Sequence, residues 1–201
     1  MYLSGHHILI TGGTSGIGAA LAAALHKHSN QVGICGRRSE RLRHMEARLP
    51  VKTLVCHLSQ DKGPRALLHW AQQEMPLLNV LVNNAGIQRD IDFTEGLGEY
   101  LSGEVEIRVN LQSPIELTGL FATFLRQNSN PIIIDVSSGL GFVPMGRPCR
   151  CTAPPKRPCM PSLWQCAGSS RKSASVYSRL VHPPLILSST LTAVQGAAIS
   201  E

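Results

Sequence analysis

The sequence predicts an α/β fold built on a doubly wound parallel sheet, and three observations carry that prediction. Short apolar runs alternate with stretches of helical spacing through the first two thirds of the chain. The short runs are apolar almost throughout, as strands covered by helices on both faces must be. The first of them ends in a glycine-rich turn that leads directly into an Ala/Leu-rich segment. Strands and helices in alternation imply right-handed crossovers and therefore a parallel sheet.

The first strand is the run His7 to Ile10, which ends in Thr11-Gly12-Gly13-Thr14-Ser15-Gly16-Ile17-Gly18. Glycines of this density mark a turn, and Ala19 to His28 then reads as a helix. Gln31 to Cys35 is a second β-type run closing with Gly36-Arg37-Arg38, after which Ser39 is placed to cap an Arg-rich helix over 40–48. Val51 to Cys56 gives a third strand, and Gly63-Pro64 opens a helix that runs to Met75. Asn79 to Val82 is the fourth strand, ending in Asn83-Asn84-Ala85-Gly86. From about Gly98 to Gln127 the apolar positions Val105, Val109, Leu111, Ile115, Leu117, Leu120, Phe121 and Phe124 recur at helical spacing, and Pro131 to Val136 is the fifth strand.

A chain of 201 residues holds one domain with a real core. Its composition, 43% hydrophobic and 16% charged, is that of a soluble globular protein. No apolar run approaches the roughly 18 residues of a membrane helix. The opening residues lack a basic region ahead of a long apolar stretch, so a cytoplasmic location is expected. The net charge of +6 is unevenly held: residues 1–135 carry 12 basic and 12 acidic side chains, whereas 136–201 carry 7 and 1. Cys149, Cys151, Cys159 and Cys166, four of the six cysteines, fall in that last third with a crowd of prolines. Two regions of different compositional origin meet near Gly146, and the positive charge belongs to the second.

A doubly wound sheet binds ligands at the carboxyl ends of its strands, and a dinucleotide pyrophosphate sits there on the first helix N-terminus. In that role Gly12 permits the tight turn, Gly16 lets the backbone approach phosphate oxygens, and Gly18 lets helix and strand pack closely. Three further segments stand in register with this turn: Asn83-Asn84-Ala85-Gly86 after the fourth strand, Asn110 in a Val-Asn step of the long helix, and Val136-Ser137-Ser138-Gly139 after the fifth strand. Together they closely resemble the short-chain dehydrogenase/reductase family over residues 1–146. Ala85-Gly86-Ile87-Gln88 and Ser138-Gly139-Leu140-x-Phe142-Val143-Pro144 are similar to the bacterial oxidoreductase subgroup named for the D-alanyl-lipoteichoic-acid operon.

The resemblance implies a Rossmann-like core over 1–146, incomplete at its C-terminal side, and an oxidoreductase that moves a hydride between a nicotinamide cofactor and a small carbonyl or alcohol substrate. It implies that Gly12, Thr14, Ser15, Gly16, Ile17 and Gly18 cradle the pyrophosphate and that Asn84, Ala85 and Gly86 line the nicotinamide side. At the end of the second strand, where a carboxylate would bind the ribose hydroxyls of NAD, Gly36 is followed by Arg37 and Arg38. Guanidinium forks match a phosphate, so NADP(H) is expected rather than NAD(H). His57 stands where the family usually places an aspartate near the adenine. The resemblance also assigns Ser138 to polarising the carbonyl and Asn110 to supporting a water relay, and implies a homo-oligomer built partly on the long helix. No metal is expected.

A tyrosine pKa near 10 must be lowered for proton transfer, which the family achieves with Tyr-x-x-x-Lys on one helix face. Tyr2, Tyr100 and Tyr177 are the only tyrosines, and the residues four places on are His6, Glu104 and Val181. The pair should follow Ser138 by about a dozen residues, but that region reads Arg147-Pro148-Cys149-Arg150-Cys151-Thr152-Ala153-Pro154-Pro155-Lys156-Arg157-Pro158-Cys159-Met160. Regrouping the codons of Arg150 to Met160, third base of one with the first two of the next, gives a different result. Cys151/Thr152 can then encode only tyrosine or histidine, and Pro155/Lys156 permits lysine. The whole stretch is compatible with Val-Tyr-Cys-Ala-Thr-Lys-Ala-Ala-Leu-His. Residues 147–201 are therefore expected to be an aberrant, poorly ordered Pro/Cys/Arg-rich tail read from a shifted frame, and the protein so written to be impaired. A competing expectation is a non-catalytic nucleotide-binding protein whose basic tail contacts an acidic partner or RNA. The tail cysteines lack the paired C-x-x-C knuckles of a zinc site.

Overall fold

In the computed structural model the described residues are 4–87, 104–138 and the strand 174–180. The first apolar run forms β1 (His7–Thr11), and the glycine turn delivers the chain into α1 (Gly16–Lys27). Then follow β2 (Gln31–Gly36), α2 (Ser39–Arg48), β3 (Lys52–Val55), α3 (Gly63–Glu74) and β4 (Val80–Asn83). Helix resumes at 104–107, loosens into a π turn over Arg108–Gln112, and continues as α4 (Ser113–Leu125) before β5 (Ile132–Ser138). The sheet order is β3-β2-β1-β4-β5 with every neighbour parallel, and an antiparallel β6 (Ala174–Leu180) closes the β5 edge.

Alternation along the strands splits the core into two layers. Leu9, Cys35, Leu81 and Ile133 face α3 and α4, meeting Leu67, Ala71, Leu117 and Phe121. Ile8, Ile10, Val32, Ile34, Val80, Val82 and Ile132 face the other way, onto Ala22 of α1 and Leu42 and Met45 of α2. The chain thus winds outward from β1 in both directions, and the reversal falls between β1 and β4. At the amino end of the sheet, polar side chains occupy backbone groups that the ladder leaves over. The His7 amide donates to Asn79 Oδ1 at 3.0 Å, and the His6 amide to Asn30 Oδ1 at 2.9 Å.

Four details differ from the sequence reading. Ser39 is not the cap of α2: Arg38 holds the extended cap conformation (φ −108°, ψ 106°), and Ser39 is already helical. The long helix is interrupted by the π turn, and β5 runs on to include Ser138 instead of ending before it. A strand over 174–180 was not expected within the tail. The expected helix residues 98–103, the other tail residues 147–173 and 181–201, and the motif residues Gln88 and 139–144 lie outside the described residues.

Candidate functional site

The carboxyl ends of β1 and β4 are tied together by one hydroxyl. Thr11, 1% exposed, accepts hydrogen bonds at Oγ1 from the amides of Asn84 and Ala85, both at 3.0 Å, and donates to the Val82 carbonyl at 3.3 Å. The Asn84 carboxamide returns the link, donating through Nδ2 to the carbonyls of Thr11 (2.9 Å) and Gly12 (3.3 Å). On the far side, the amides of Gly12 and Gly13 donate to the Cys35 carbonyl at 2.9 and 3.3 Å, which hangs the turn on the end of β2.

Two glycines are required by this geometry. Gly12 has φ +69°, and a Cβ there would stand 2.8 Å from Ala85 Cα. Gly18 lies under the turn, where a Cβ would meet Asn84 Nδ2 at 2.4 Å and the Gly12 carbonyl oxygen at 2.5 Å. The outcome is a turn pressed onto the β4 exit with α1 starting immediately behind it. Ser15 is the extended N-cap of α1 (φ −163°), its side chain makes no capping bond, and no acidic residue stands in the first turn. The amides at this helix start therefore present positive potential at the carboxyl edge of the sheet, with no acidic side chain in the first turn to offset it. Ser15, Gly16 and Ile17 are exposed there, Ile17 to 49%.

Thr14 packs its methyl over Gly36, which brings the turn beside the end of β2. The next two residues, Arg37 and Arg38, are exposed, and neither meets a carboxylate among the described residues. Cys35, at the end of β2, and Cys56 are buried free cysteines. The neighbouring Cys56 thiol, then burial, pushes the Cys35 thiol well above its ordinary range, so it stays protonated and acts as packing. Cys56 Sγ lies 3.3 Å from the Gly63 carbonyl oxygen, and His57 next to it is exposed.

Asn110 lies in the middle of the π turn. Its carboxamide grips the Ile87 peptide from both ends: the Ile87 amide donates to Oδ1 at 2.9 Å, and Nδ2 donates to the Ile87 carbonyl at 2.7 Å. Asn110 is thereby joined to the segment Asn84–Gly86, with its Oδ1 3.5 Å from where a Gly86 Cβ would be. Ser138 is the last residue of β5, in register with Ala174 of β6 and three residues beyond Asp135, which pairs with Asn83. The structure thus brings Gly12 to Gly18, Arg37, Arg38, Asn84 to Gly86, Asn110 and Ser138 to one edge of the sheet, the edge at the topological reversal. Among the described residues no three His, Cys, Asp or Glu side chains group as a metal site. No helix of the described residues is long and apolar enough to cross a membrane.

Sequence reasoning passed over Thr11 as a functional residue. Its signal was a hydroxyl at the final position of an otherwise apolar strand, directly before the glycine turn. The Cys35 carbonyl carried no signal, because a backbone acceptor is independent of its side chain.

Comparison with known proteins places these features in context. A family model described as short chain dehydrogenase matches residues 6–151. The chain is 42% identical over 146 residues to the uncharacterized oxidoreductase DltE of Bacillus subtilis, covering 72% of this chain and 58% of that protein. It is 33% identical over 144 residues to nodulation protein G of a Rhizobium strain, covering 69% and 57%. Among solved structures, a metagenomic short-chain oxidoreductase in complex with NADP is 30% identical with a TM-score of 0.61, covering 70% of this chain and 65% of that one. The Pseudomonas aeruginosa RhlG/NADP complex is 25% identical with a TM-score of 0.65, covering 74% and 61%. The chain thus spans less than two thirds of the length of each of these relatives.

Proposed function

The chain belongs to the short-chain dehydrogenase family, and from that premise we propose that it binds NADP(H) along the carboxyl edge of the sheet, in a site built for reduction of a carbonyl or oxidation of an alcohol. The observation that carries the cofactor assignment is the junction of an open, acid-free helix start at Gly16 with the exposed pair Arg37 and Arg38 at the end of β2. A dinucleotide needs anion-receptive amides for its pyrophosphate, and a 2′-phosphate needs a guanidinium where NAD would need a carboxylate. Thr14 and Ser15 would add hydroxyl donors to the phosphates, and Ile17 would cover them. Two relatives in the structural comparison are NADP complexes, which supports the same choice.

When bound, the nicotinamide supplies or accepts the hydride. The chain's own residues orient and polarise. Asn84, Ala85 and Gly86 would line the nicotinamide side, Asn110 holds that segment through Ile87, and Ser138 would donate to the substrate oxygen. Proton delivery needs a group of tuned pKa, and the region where Tyr-x-x-x-Lys is expected holds Cys151 and Pro155 instead. We therefore read the chain as written as a cofactor-binding protein with impaired turnover, and residues 147–201 as the product of a shifted frame.

Fluorescence titration of the full chain with NADPH and with NADH tests the cofactor. Tighter binding of NADPH is expected. A hydrogen bond to a charged group contributes about 1.5–3 kcal/mol, so Arg37→Ala with Arg38→Ala should weaken NADPH by about ten- to a hundredfold and leave NADH within about twofold. Equal loss for both cofactors would assign the arginines to general electrostatics, and tighter NADH binding in the unsubstituted chain would reverse the assignment.

A further inference from the structure

Asn110 reaches Ile87 from a π turn and not from a regular α-helix, and Ser113 and Pro114 lie just beyond it. Pro114 has no N–H to offer the carbonyl of residue 110, four positions back, and its ring crowds that carbonyl. The ladder loosens instead. The Ser113 amide donates to the Arg108 carbonyl five residues back, and Ser113 Oγ lies 2.7 Å from that same oxygen. Ser113 is fully buried, and its Oγ also stands 2.6 Å from the Leu58 carbonyl oxygen, which fixes the turn against the loop after β3. Arg108 braces the turn from its other end, pairing with Glu116 of α4 at 2.9 Å and Asp61 at 3.4 Å. An inserted π turn rotates the residues inside it relative to an unbroken helix, and turns of this kind recur at functional sites.

From this geometry we infer that Pro114 and Ser113 are positioning residues: they impose the π turn that aims the Asn110 carboxamide at the Ile87 peptide and so holds Asn84–Gly86 in place. The inference rests on the proposed cofactor site for its functional meaning, while the aim of Asn110 is a property of the fold. Neither residue touches the cofactor edge directly. Both act through Asn110.

Pro114→Ala returns an N–H to this helix position and removes the ring, so the segment can relax toward an unbroken α-helix. Helix propensity favours the change, and the melting temperature should hold or rise. If the turn positions Asn110, the same variant should lose the signature of the site. By NMR of the full chain, the Ile87 amide should exchange faster with solvent, and the Asn110 carboxamide resonances should move toward free values. NADPH should bind about tenfold more weakly, the scale of a sub-ångström misplacement. Pro114→Ser provides the same N–H in a second sequence context, and Ser113→Ala should show an intermediate effect because its amide still closes the turn. Unchanged Ile87 exchange and Asn110 resonances in both Pro114 variants would overturn the inference. Faster Ile87 exchange in a chain that binds neither NADPH nor NADH would uphold the positioning role and overturn the cofactor reading alone.

Discussion

Gly18 shows how little tolerance the crevice has for change. Its missing side chain is replaced by two groups of the site itself, the Asn84 carboxamide and the Gly12 carbonyl. In Gly18→Ala the carboxamide could swing away, but it would give up its bonds to Thr11 and Gly12, and the carbonyl belongs to backbone pinned by Cys35. Overpacking of this kind costs about 1–3 kcal/mol. The variant should therefore show a lower midpoint in urea and weaker NADPH binding, and an unchanged midpoint would mean that the turn yields where the geometry says it cannot. The glycine spacing was legible in the sequence because only glycine satisfies those positions. Thr11 was not, since a threonine ending a strand is ordinary until its two accepted amides are seen. The placement of Ser39 failed for a related reason: the extended conformation that defines a cap depends on where the preceding strand releases the chain, and here it releases it one residue earlier, at Arg38.

At the level of elements, the five parallel strands and the four helices flanking them were legible because each of them but β3 buries a run or stripe whose period matches its geometry, while β3 at the sheet edge has no buried residue. The helix α4 illustrates it. Leu117, Phe121 and Leu125 recur at four-residue spacing and are almost completely buried against α3 and the sheet, whereas Ile115 on the other face is 65% exposed. Phe121→Ala should cost about 3–5 kcal/mol, a large part of the 5–15 kcal/mol that holds an ordinary domain folded. Ile115→Ser should stay within about 0.5 kcal/mol. Urea denaturation of the two variants checks both figures, and similar losses would mean that α4 is not seated by the face assigned to it. The π turn was hidden from periodicity, which counts apolar positions and not hydrogen bonds. Pro114, however, was present in the sequence as a residue that no helix interior accommodates without a break.

Across the whole molecule, charge and chemistry both change in the last third of the chain. The first 135 residues balance acid against base, the residues proposed for the cofactor site all lie at or before Ser138, and the matching family model ends at residue 151. Beyond Gly146 the chain turns basic, proline-rich and cysteine-rich, a change of composition that agrees with the shifted frame proposed above. The codons of Arg150 to Met160 can be regrouped to give tyrosine and lysine four residues apart, and they fall about a dozen residues after Ser138. Two outcomes are expected together. A DNA read across codons 140–170 should contain the neighbouring frame with TAC at the junction of Cys151 and Thr152 and AAA at that of Pro155 and Lys156. The chain as written should bind NADPH yet consume it at background rate with aldehydes and ketones, because its sequence holds no Tyr-x-x-x-Lys pair to deliver the proton. Restoring the frame by one base near codon 147 should then produce turnover that depends on that tyrosine. A neighbouring frame with histidine at the junction, or turnover by the unrestored chain, would remove the shifted frame from the account and require a proton donor from elsewhere in the protein.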